Sequence, residues 1–134
     1  MTITVEAAAV YAYTQATGDA NAAYPQGPDD SAGKIVPPSY AAVYALGAGS
    51  LSLLSVGIEP ARLIHAGQEF TWERPIRVGE RLTAQGRVAE VTRKRQLQFV
   101  SAEVLVTDDG GAQVCRSLGT ILVLPAPVVA SPPA

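Results

Sequence analysis

The sequence has little of the residues on which metal and disulfide chemistry depend. Its 134 residues include one cysteine, Cys115, and one histidine, His65. A single cysteine excludes a disulfide framework within the chain. One cysteine and one histidine are also too few for a Cys/His zinc site or a two-histidine metal motif. We therefore expect no metal and no cofactor, and we expect Cys115 to be a small buried residue within a strand.

Charge is scarce as well. Charged residues make up 16% of the chain, and Lys+Arg 10 against Asp+Glu 12 leaves a formal net charge of −2. Such a chain lacks the positive excess that draws proteins to nucleic acid. No charged-then-apolar leader opens it, and no apolar run approaches the roughly 20 residues of a membrane span. We expect a cytoplasmic protein with no nucleic-acid and no membrane partner.

Hydrophobic residues, by contrast, reach 48% of the chain. That share in a chain of this length predicts one domain with a continuous core. We place this domain at residues 1–124. Residues 125–134, rich in Pro, Ala and Ser, are expected to form a flexible tail.

The N-terminal third predicts a strand, a helix and a loop. Residues 2–5 are all β-branched, and the Ala-rich segment 5–17 favours a helix that ends at Gly18. Residues 19–30 contain Asp, Asn, Gly and Pro and cannot continue a regular element. A loop of this length in a small domain is more often functional than idle, with disorder as the competing interpretation.

A second helix should follow Pro37 and Pro38. A proline near a helix start lacks only an N–H that would be unpaired anyway. Residues 39–54 are small or apolar on nearly every side and include no Asp, Glu, Lys or Arg. This pattern predicts an enclosed helix at the centre of the domain, with small residues that allow close backbone approach.

The rest of the chain alternates as strands do, over residues 68–73, 81–91, 96–107 and 113–124. The sequence Asp-Asp-Gly-Gly at 108–111 suits a tight hairpin. The apolar face of the sheet needs a cover, and the central helix is the element that can provide it. We therefore predict an α+β hot-dog domain, an antiparallel sheet wrapped around one buried central helix. Its open sheet edges favour pairing in a dimer.

Three segments carry a resemblance to a known family: YTQATGDAN at 13–21, IVPPSY at 35–40 and HAGQEFTWERPIRVGE at 65–80. In this order they resemble the MaoC-like hydratases and dehydratases, most closely their amino-terminal dehydratase-like branch. The resemblance implies a 2-enoyl or (R)-3-hydroxyacyl thioester substrate, carried on coenzyme A or acyl carrier protein. It also implies a homodimer, or a heterodimer with another hot-dog subunit.

The family's active members carry Gly-Asp-x-Asn-Pro-x-His in the loop after the first helix. Gly18, Asp19 and Asn21 match this motif, but Ala22 stands where proline is usual and Tyr24 stands where the catalytic histidine belongs. The Asp/His dyad is therefore incomplete.

Hydration needs a base for water, an acid for the α-carbon and donors for the thioester oxygen. The resemblance gives Asp19 and Asn21 catalytic positions and leaves Tyr24 or His65 to handle the second proton. It implies a substrate-binding role for Pro38, Ser39, Tyr40 and Gln68, with the amides near Ser39 and Tyr40 polarising the carbonyl at a helix N-terminus.

Each of these residues also has a simpler interpretation. Asp19 and Asn21 are ordinary loop residues, and Tyr24 suits the lining of a pocket. His65 is more often a structural residue hydrogen-bonded to backbone, and Gln68 with Glu69 fits a solvated strand face. The basic run at 93–95 could contact coenzyme A phosphates or an acidic carrier protein, although a solvated hairpin tip is the default.

Three functions follow. The first is a hydratase or dehydratase in which Asp19 works with an unusual partner. The second is a subunit without catalytic groups that houses the acyl chain beside a subunit with the intact motif. The third, a hot-dog thioesterase, ranks last because many of these enzymes carry an acidic residue on the central helix, and residues 39–54 have none.

Overall fold

The computed structural model describes residues 1–125, and local sequence signals set the first elements. Strand β1 (Thr2–Thr4) leads into helix α1 (Ala7–Thr17). Gly18 ends the helix at φ 71°, a left-handed conformation that glycine adopts without steric cost. These elements confirm the predicted start of the chain. The predicted tail, residues 125–134, lies outside the described residues except for its first residue.

The second helix begins where the prolines predict it. A 3₁₀ turn (Pro38–Tyr40) continues directly into helix α2 (Ala41–Ser55). Because proline fixes φ near the helical value, this first turn forms without losing a hydrogen bond. No helix within residues 1–125 is long and apolar enough to cross a membrane.

Four long strands follow α2 and form one sheet with β1. They are β2 (Leu63–Trp72), β3 (Arg81–Lys94), β4 (Leu97–Thr107) and β5 (Gln113–Val123). The order is β1-β3-β4-β5-β2, and every pairing is antiparallel. This topology, with α2 packed on one face, confirms the predicted hot-dog α+β fold. Strand β2 begins earlier than predicted because a register shift between His65 and Gly67 interrupts its alternation.

Helix α2 packs close to the sheet because its contacting residues are small. Ala45, Ala48 and Gly49 are buried at this interface. A Cβ atom on Gly86 of β3 would lie 2.4 Å from the carbonyl oxygen of Ala48. Glycine at position 86 is therefore what allows the helix backbone to approach β3.

The opposite face of α2 is open in the single chain. The side chains of Val43, Leu46 and Leu54 are exposed by 46%, 57% and 52%. The prediction of a fully enclosed helix is therefore wrong for this face, because a sheet on one side cannot cover the other. Strand β2 forms one edge of the sheet, and β1 forms the other.

A buried carboxylate ties three strands together. Glu103 of β4 is only 6% exposed, and it accepts hydrogen bonds from Nε of Arg87 at 2.8 Å and from Nε of Arg116 at 2.7 Å. These two guanidinium groups hold the pKa of Glu103 below its ordinary value of 4.5. The ion cluster therefore favours the charged carboxylate in the folded state.

We predict that Gly86→Ala lowers the free energy of unfolding by about 1–3 kcal/mol, because the new methyl group forces α2 away from β3. Urea unfolding followed by circular dichroism measures the change. Gly27→Ala is the control, since a Cβ at Gly27 meets nothing within 4 Å. Equal stability of the two variants would contradict the close-approach argument.

We also predict that Glu103→Gln makes stability less dependent on acid. A carboxyl group whose folded pKa is depressed contributes stability above its unfolded pKa, and that contribution is lost as the pH falls through the folded pKa. Wild-type stability should therefore fall between about pH 5 and more acidic values, and the fall should be shallower in Glu103→Gln. Unfolding midpoints across this range test it, with Glu90→Gln, an exposed site on β3, as the charge-matched control. Identical profiles for the two variants would refute the prediction.

Candidate functional site

The loop between α1 and α2 is built by its own polar side chains. Oδ1 of Asp19 accepts the N–H of Asn21 at 3.1 Å, and Oδ1 of Asn21 accepts the N–H of Ala23 at 2.9 Å. Such bonds are the ordinary way in which Asp and Asn shape turns. Both residues are exposed. The structure thus gives Asp19 and Asn21 a loop-building role, and their catalytic roles stay predictions.

A second set of bonds fixes the middle of this loop. The side-chain amide of Gln26 donates to the carbonyl oxygens of Asn21, at 3.1 Å, and Tyr24, at 2.8 Å. Nζ of Lys34 donates to the carbonyl of Ala22 at 2.9 Å. These bonds satisfy backbone groups that no strand or helix pairs, and they hold the loop while Tyr24 turns inward.

Tyr24, which stands where the resemblance places a catalytic histidine, lines a cavity of about 390 Å³. Pro37 and Pro38 form part of the same wall, while Trp72 and Ile76 contribute apolar surface from the end of β2 and the turn after it. Tyr24 is 9% exposed. Burial, and then the negative charge of Asp19, raise the pKa of Tyr24 above its ordinary value of 10.0. Its phenol therefore stays protonated near neutral pH, where it can donate a proton or a hydrogen bond but cannot act as a base.

The start of α2 offers fewer free groups than the sequence predicts. Tyr13 donates its hydroxyl hydrogen to Oγ of Ser39 at 2.8 Å. The backbone N–H of Tyr40 donates to the carbonyl of Pro37 at 2.9 Å. The 3₁₀ turn uses this amide for its own hydrogen bond, and the oxyanion role of Tyr40 stays a prediction. The role of the Ser39 amide stays a prediction.

Three tyrosines stack edge to face behind this turn. The ring centroids of Tyr13 and Tyr40 are 5.2 Å apart, and those of Tyr40 and Tyr44 are 5.4 Å apart. Tyr44 is fully buried and is one of the residues that line the cavity. Sequence reasoning missed Tyr44, although its spacing of four from Tyr40 places both rings on one face of the helix.

His65 and Gln68 form a separate cluster on β2. Nε2 of His65 lies 3.0 Å from Oε1 of Gln68, and the Gln68 amide donates to Oγ of the buried Ser117 on β5. A hydrogen bond in this geometry requires the proton on Nε2 of His65, because an amide oxygen only accepts. This cluster borders a small cavity of about 50 Å³ beside Ala45 and Gly49 of α2.

This arrangement corrects two interpretations. His65 bonds a side-chain amide rather than backbone, and the structure pairs it with Gln68 rather than with Asp19. Gln68 does not lie on a solvated face, because it shares its strand face with Phe70, which packs against the core. Ser117 escaped the sequence analysis, although it alternates with Cys115 on the inward face of β5. The predicted catalytic role of His65 and binding role of Gln68 stay untested.

An ion cluster closes another side of the large cavity. Arg74, a lining residue, donates from Nη1 to Oε2 of Glu80 at 2.9 Å and from Nη2 to Oε1 at 2.6 Å. Nη2 also donates to Asp108 at 3.1 Å. The Arg74 hydrogen bonds are the main reason that the pKa of Glu80 lies below its usual range. The guanidinium charge is thus committed to two carboxylates that tie the turn after β2 to the β4–β5 hairpin.

Two remaining residue predictions are confirmed. Cys115 is 1% exposed within β5, and burial raises the pKa of its thiol to about 11. The basic residues 93–95 are exposed at the β3–β4 turn, where Arg95 and Gln96 take positive φ of 52° and 71°.

Among residues 1–125, no three His, Cys, Asp or Glu side chains lie close enough together to hold a metal ion.

Comparisons with known proteins agree with this fold. Residues 1–117 match the family described as FAS1-like, dehydratase domain region. A UPF0336 protein of Leifsonia xyli subsp. xyli is 32% identical over 117 residues, which cover 87% of this chain and 78% of that protein. The crystal structure of the C-terminally truncated HadBC (3R-hydroxyacyl-ACP dehydratase) complex from Mycobacterium tuberculosis superimposes with a TM-score of 0.77 at 16% identity, covering 91% of this chain and 90% of that one. The structure of a MaoC-like dehydratase superimposes with a TM-score of 0.79 at 18% identity, covering 93% of this chain and 40% of that one. The chain belongs to the family described as FAS1-like, dehydratase domain region, and it shares its fold with the MaoC-like dehydratase.

Proposed function

We propose that this chain is a subunit of a heteromeric (R)-3-hydroxyacyl dehydratase whose full activity depends on a partner subunit. Its substrate is a 2-enoyl or 3-hydroxyacyl thioester carried on coenzyme A or acyl carrier protein. In this assignment the chain houses the acyl group, and the partner supplies the complete Asp/His dyad. The observation that carries the proposal is the buried, protonated Tyr24 at the position of the family's histidine.

A tyrosine at position 24 cannot replace a histidine in the dehydration reaction. Dehydration removes a proton from the α-carbon of the 3-hydroxyacyl thioester and delivers a proton to the departing hydroxyl group. A base with a pKa near neutrality serves the first step, as histidine does. A phenol with a raised pKa cannot take that proton at neutral pH. Tyr24 can only donate a hydrogen bond. One carboxylate oxygen of Asp19 already accepts a backbone N–H within the loop.

The cavity supports the acyl-housing role. Its walls include Val36, Pro38, Trp72 and Ile76, and its volume of about 390 Å³ lies within the range of small-molecule sites, about 300–1,000 Å³. An apolar chain entering it gains about 25 cal/mol for each Å² of apolar surface removed from water. Acyl binding therefore needs no catalytic group from this chain.

The open face of α2 and the unpaired edge of β2 support the proposal of a partner subunit. Leu46 and Leu54 project from the helix, and Ile64 is 46% exposed on the edge strand. Apolar side chains beside an unpaired strand edge favour association with a second sheet. The structurally similar HadBC protein is itself a complex. A partner hot-dog subunit would cover this face and extend the sheet.

We predict that the purified chain alone does not hydrate trans-2-enoyl-CoA of short or long acyl length at high protein concentration. The loss of the conjugated enoyl-thioester absorbance measures turnover. A rate that Asp19→Asn abolishes would instead establish a self-sufficient hydratase, and Tyr24→Phe would then show whether the phenol supplies the second proton.

We predict that activity appears when the chain is combined with a MaoC-like subunit that carries the intact motif and is encoded in the same genome. Replacing the motif histidine of that subunit with alanine should abolish turnover, whereas Asp19→Asn in this chain should change kcat less than twofold. Gel filtration with light scattering reports the complex.

Leu46→Lys should weaken the complex at least tenfold, because it places a charge on the open face of α2. Val91→Lys, at an exposed apolar site near the β3–β4 turn, is the matched control and should leave association intact. Full activity without a complex, or equal weakening by both lysines, would contradict the assignment.

A further inference from the structure

Three neighbouring positive charges at the β3–β4 turn have no carboxylate partner within residues 1–125. Arg93, Lys94 and Arg95 are all exposed there, and none of the ion pairs of the described residues includes them. Four of the other seven Lys and Arg residues, by contrast, pair with a carboxylate. In a chain with a formal net charge of −2, this turn is therefore a local concentration of unmatched positive charge.

The backbone of this turn does not favour the residues that it carries. Lys94 pairs with Leu97, so Arg95 and Gln96 form a two-residue hairpin loop, and both have positive φ, 52° and 71°. Such loops usually carry Asn-Gly, because asparagine and glycine adopt positive φ at low cost. An arginine at position 95 gives the turn no conformational advantage. Its presence indicates a contact outside the chain.

The shape of the turn selects the kind of partner. Small molecules bind in concave sites that bury most of their surface, whereas this hairpin tip, with four consecutive exposed residues at 93–96, is convex. A convex cationic surface is complementary to the broad anionic surface of an acidic protein. Of the two carriers named in the proposed function, coenzyme A is a small molecule and acyl carrier protein is an acidic protein. The turn therefore fits the acyl carrier protein.

The turn lies far from the large cavity of its own chain. Gln98 of β4 pairs with Val123 of β5, and Val123 pairs with Leu63, so the turn stands at the end of the sheet where β2 begins. Trp72, at the other end of β2, lines the cavity. At about 3.3 Å per residue, the ten residues of β2 separate the two ends by about 30 Å. A protein docked on the turn is therefore remote from the cavity of this chain.

A partner subunit brings its own cavity to the end of the sheet that carries the turn. In the proposed complex the partner's sheet continues from the edge strand β2. Two similar subunits related by a two-fold axis meet with their edge strands antiparallel. The end of β2 at Leu63 then lies beside the cavity end of the partner's edge strand. The basic turn of this chain and the cavity of the partner are thus on the same side of the complex.

We propose that Arg93, Lys94 and Arg95 form a docking surface for acyl carrier protein, and that this surface serves the cavity of the partner subunit. The positive charges attract the acidic carrier and hold it where its thioester reaches the catalytic subunit. This inference rests on the proposed function for the partner and for the choice of carrier. Attraction of the carrier to the turn requires neither the partner nor turnover.

A titration of the full chain, without a partner, tests the docking surface. The probe is the holo acyl carrier protein encoded in the same genome, without an acyl chain, and binding is followed by the amide NMR signals of the chain. The signals that shift should be those of residues 92–97. The affinity should fall as the salt concentration rises from about 0.05 to about 0.5 M, because salt screens attraction between surface charges.

Two double variants of equal charge locate the surface. Arg93→Gln/Arg95→Asn should weaken carrier binding about three- to tenfold, the range expected for two exposed charges. The turn is retained in this variant, since asparagine suits the positive φ at position 95. Arg77→Gln/Arg81→Gln removes two exposed charges at the opposite end of the sheet and should leave binding unchanged. Shifts centred on Arg77 and Arg81, or equal weakening by the two variants, would overturn the proposal.

Turnover by the complex tests whether the surface serves the partner's cavity. With a trans-2-enoyl chain on acyl carrier protein, Arg93→Gln/Arg95→Asn should raise KM about three- to tenfold and leave kcat unchanged. The same variant should not change KM for trans-2-enoyl-CoA. An equal rise in both KM values would assign the turn to the phosphates of coenzyme A and overturn the choice of carrier.

The docking surface and the proposed function fail in different measurements. Absence of salt-dependent shifts at residues 92–97 would overturn the docking surface, while hydration of enoyl-CoA by the complex would be unaffected. An inactive complex would overturn the proposed function and, with it, service to the partner's cavity. Carrier binding by the chain alone would still establish the docking surface in that case.

Discussion

The close approach of α2 to the sheet is the constraint on which the rest of the structure depends. The carbonyl of Ala48 lies so near β3 that position 86 has no room for a side chain. Small residues along one face of the helix let the sheet curve around it. This placement fixes the first turn of the helix, and with it Pro37, Pro38 and Tyr44, against the cavity.

The loop after α1 is the counterpart of that helix start. Its polar side chains form hydrogen bonds with the backbone of the loop itself, as Asp19, Gln26 and Lys34 do. The result is a rigid loop that turns Tyr24 inward. A family position used for acid-base chemistry elsewhere thus holds a phenol that donates but does not accept protons at neutral pH. The cavity walls keep the properties of a binding site, which supports the proposal that binding and catalysis belong to different subunits.

Two polar clusters are separate from each other: one includes residues of β2, and the other is built around the turn that follows β2. His65, Gln68 and Ser117 face a small space beside the middle of α2, whereas Arg74 with Glu80 and Asp108 closes the large cavity near the start of the helix. The first cluster places the His65 imidazole near the open face of α2. The second pairs the positive charge of Arg74 with two carboxylates. The guanidinium of Arg74 is therefore not free to hold an anionic group inside the cavity.

The sequence alone determined the elements, the hot-dog fold and the family, because these depend on local signals: Gly18 and Pro38 at helix boundaries, small residues along α2 and alternation along the strands. It also marked Tyr24 as the departure from the motif. The tertiary structure alone decided that His65 pairs with Gln68, that the Tyr40 amide is already used, and that Tyr44 borders the cavity without a partner. Hydrogen bonds between distant residues depend on strand register and on the rotation of each helix, and neither is encoded in the spacing of residues along the chain.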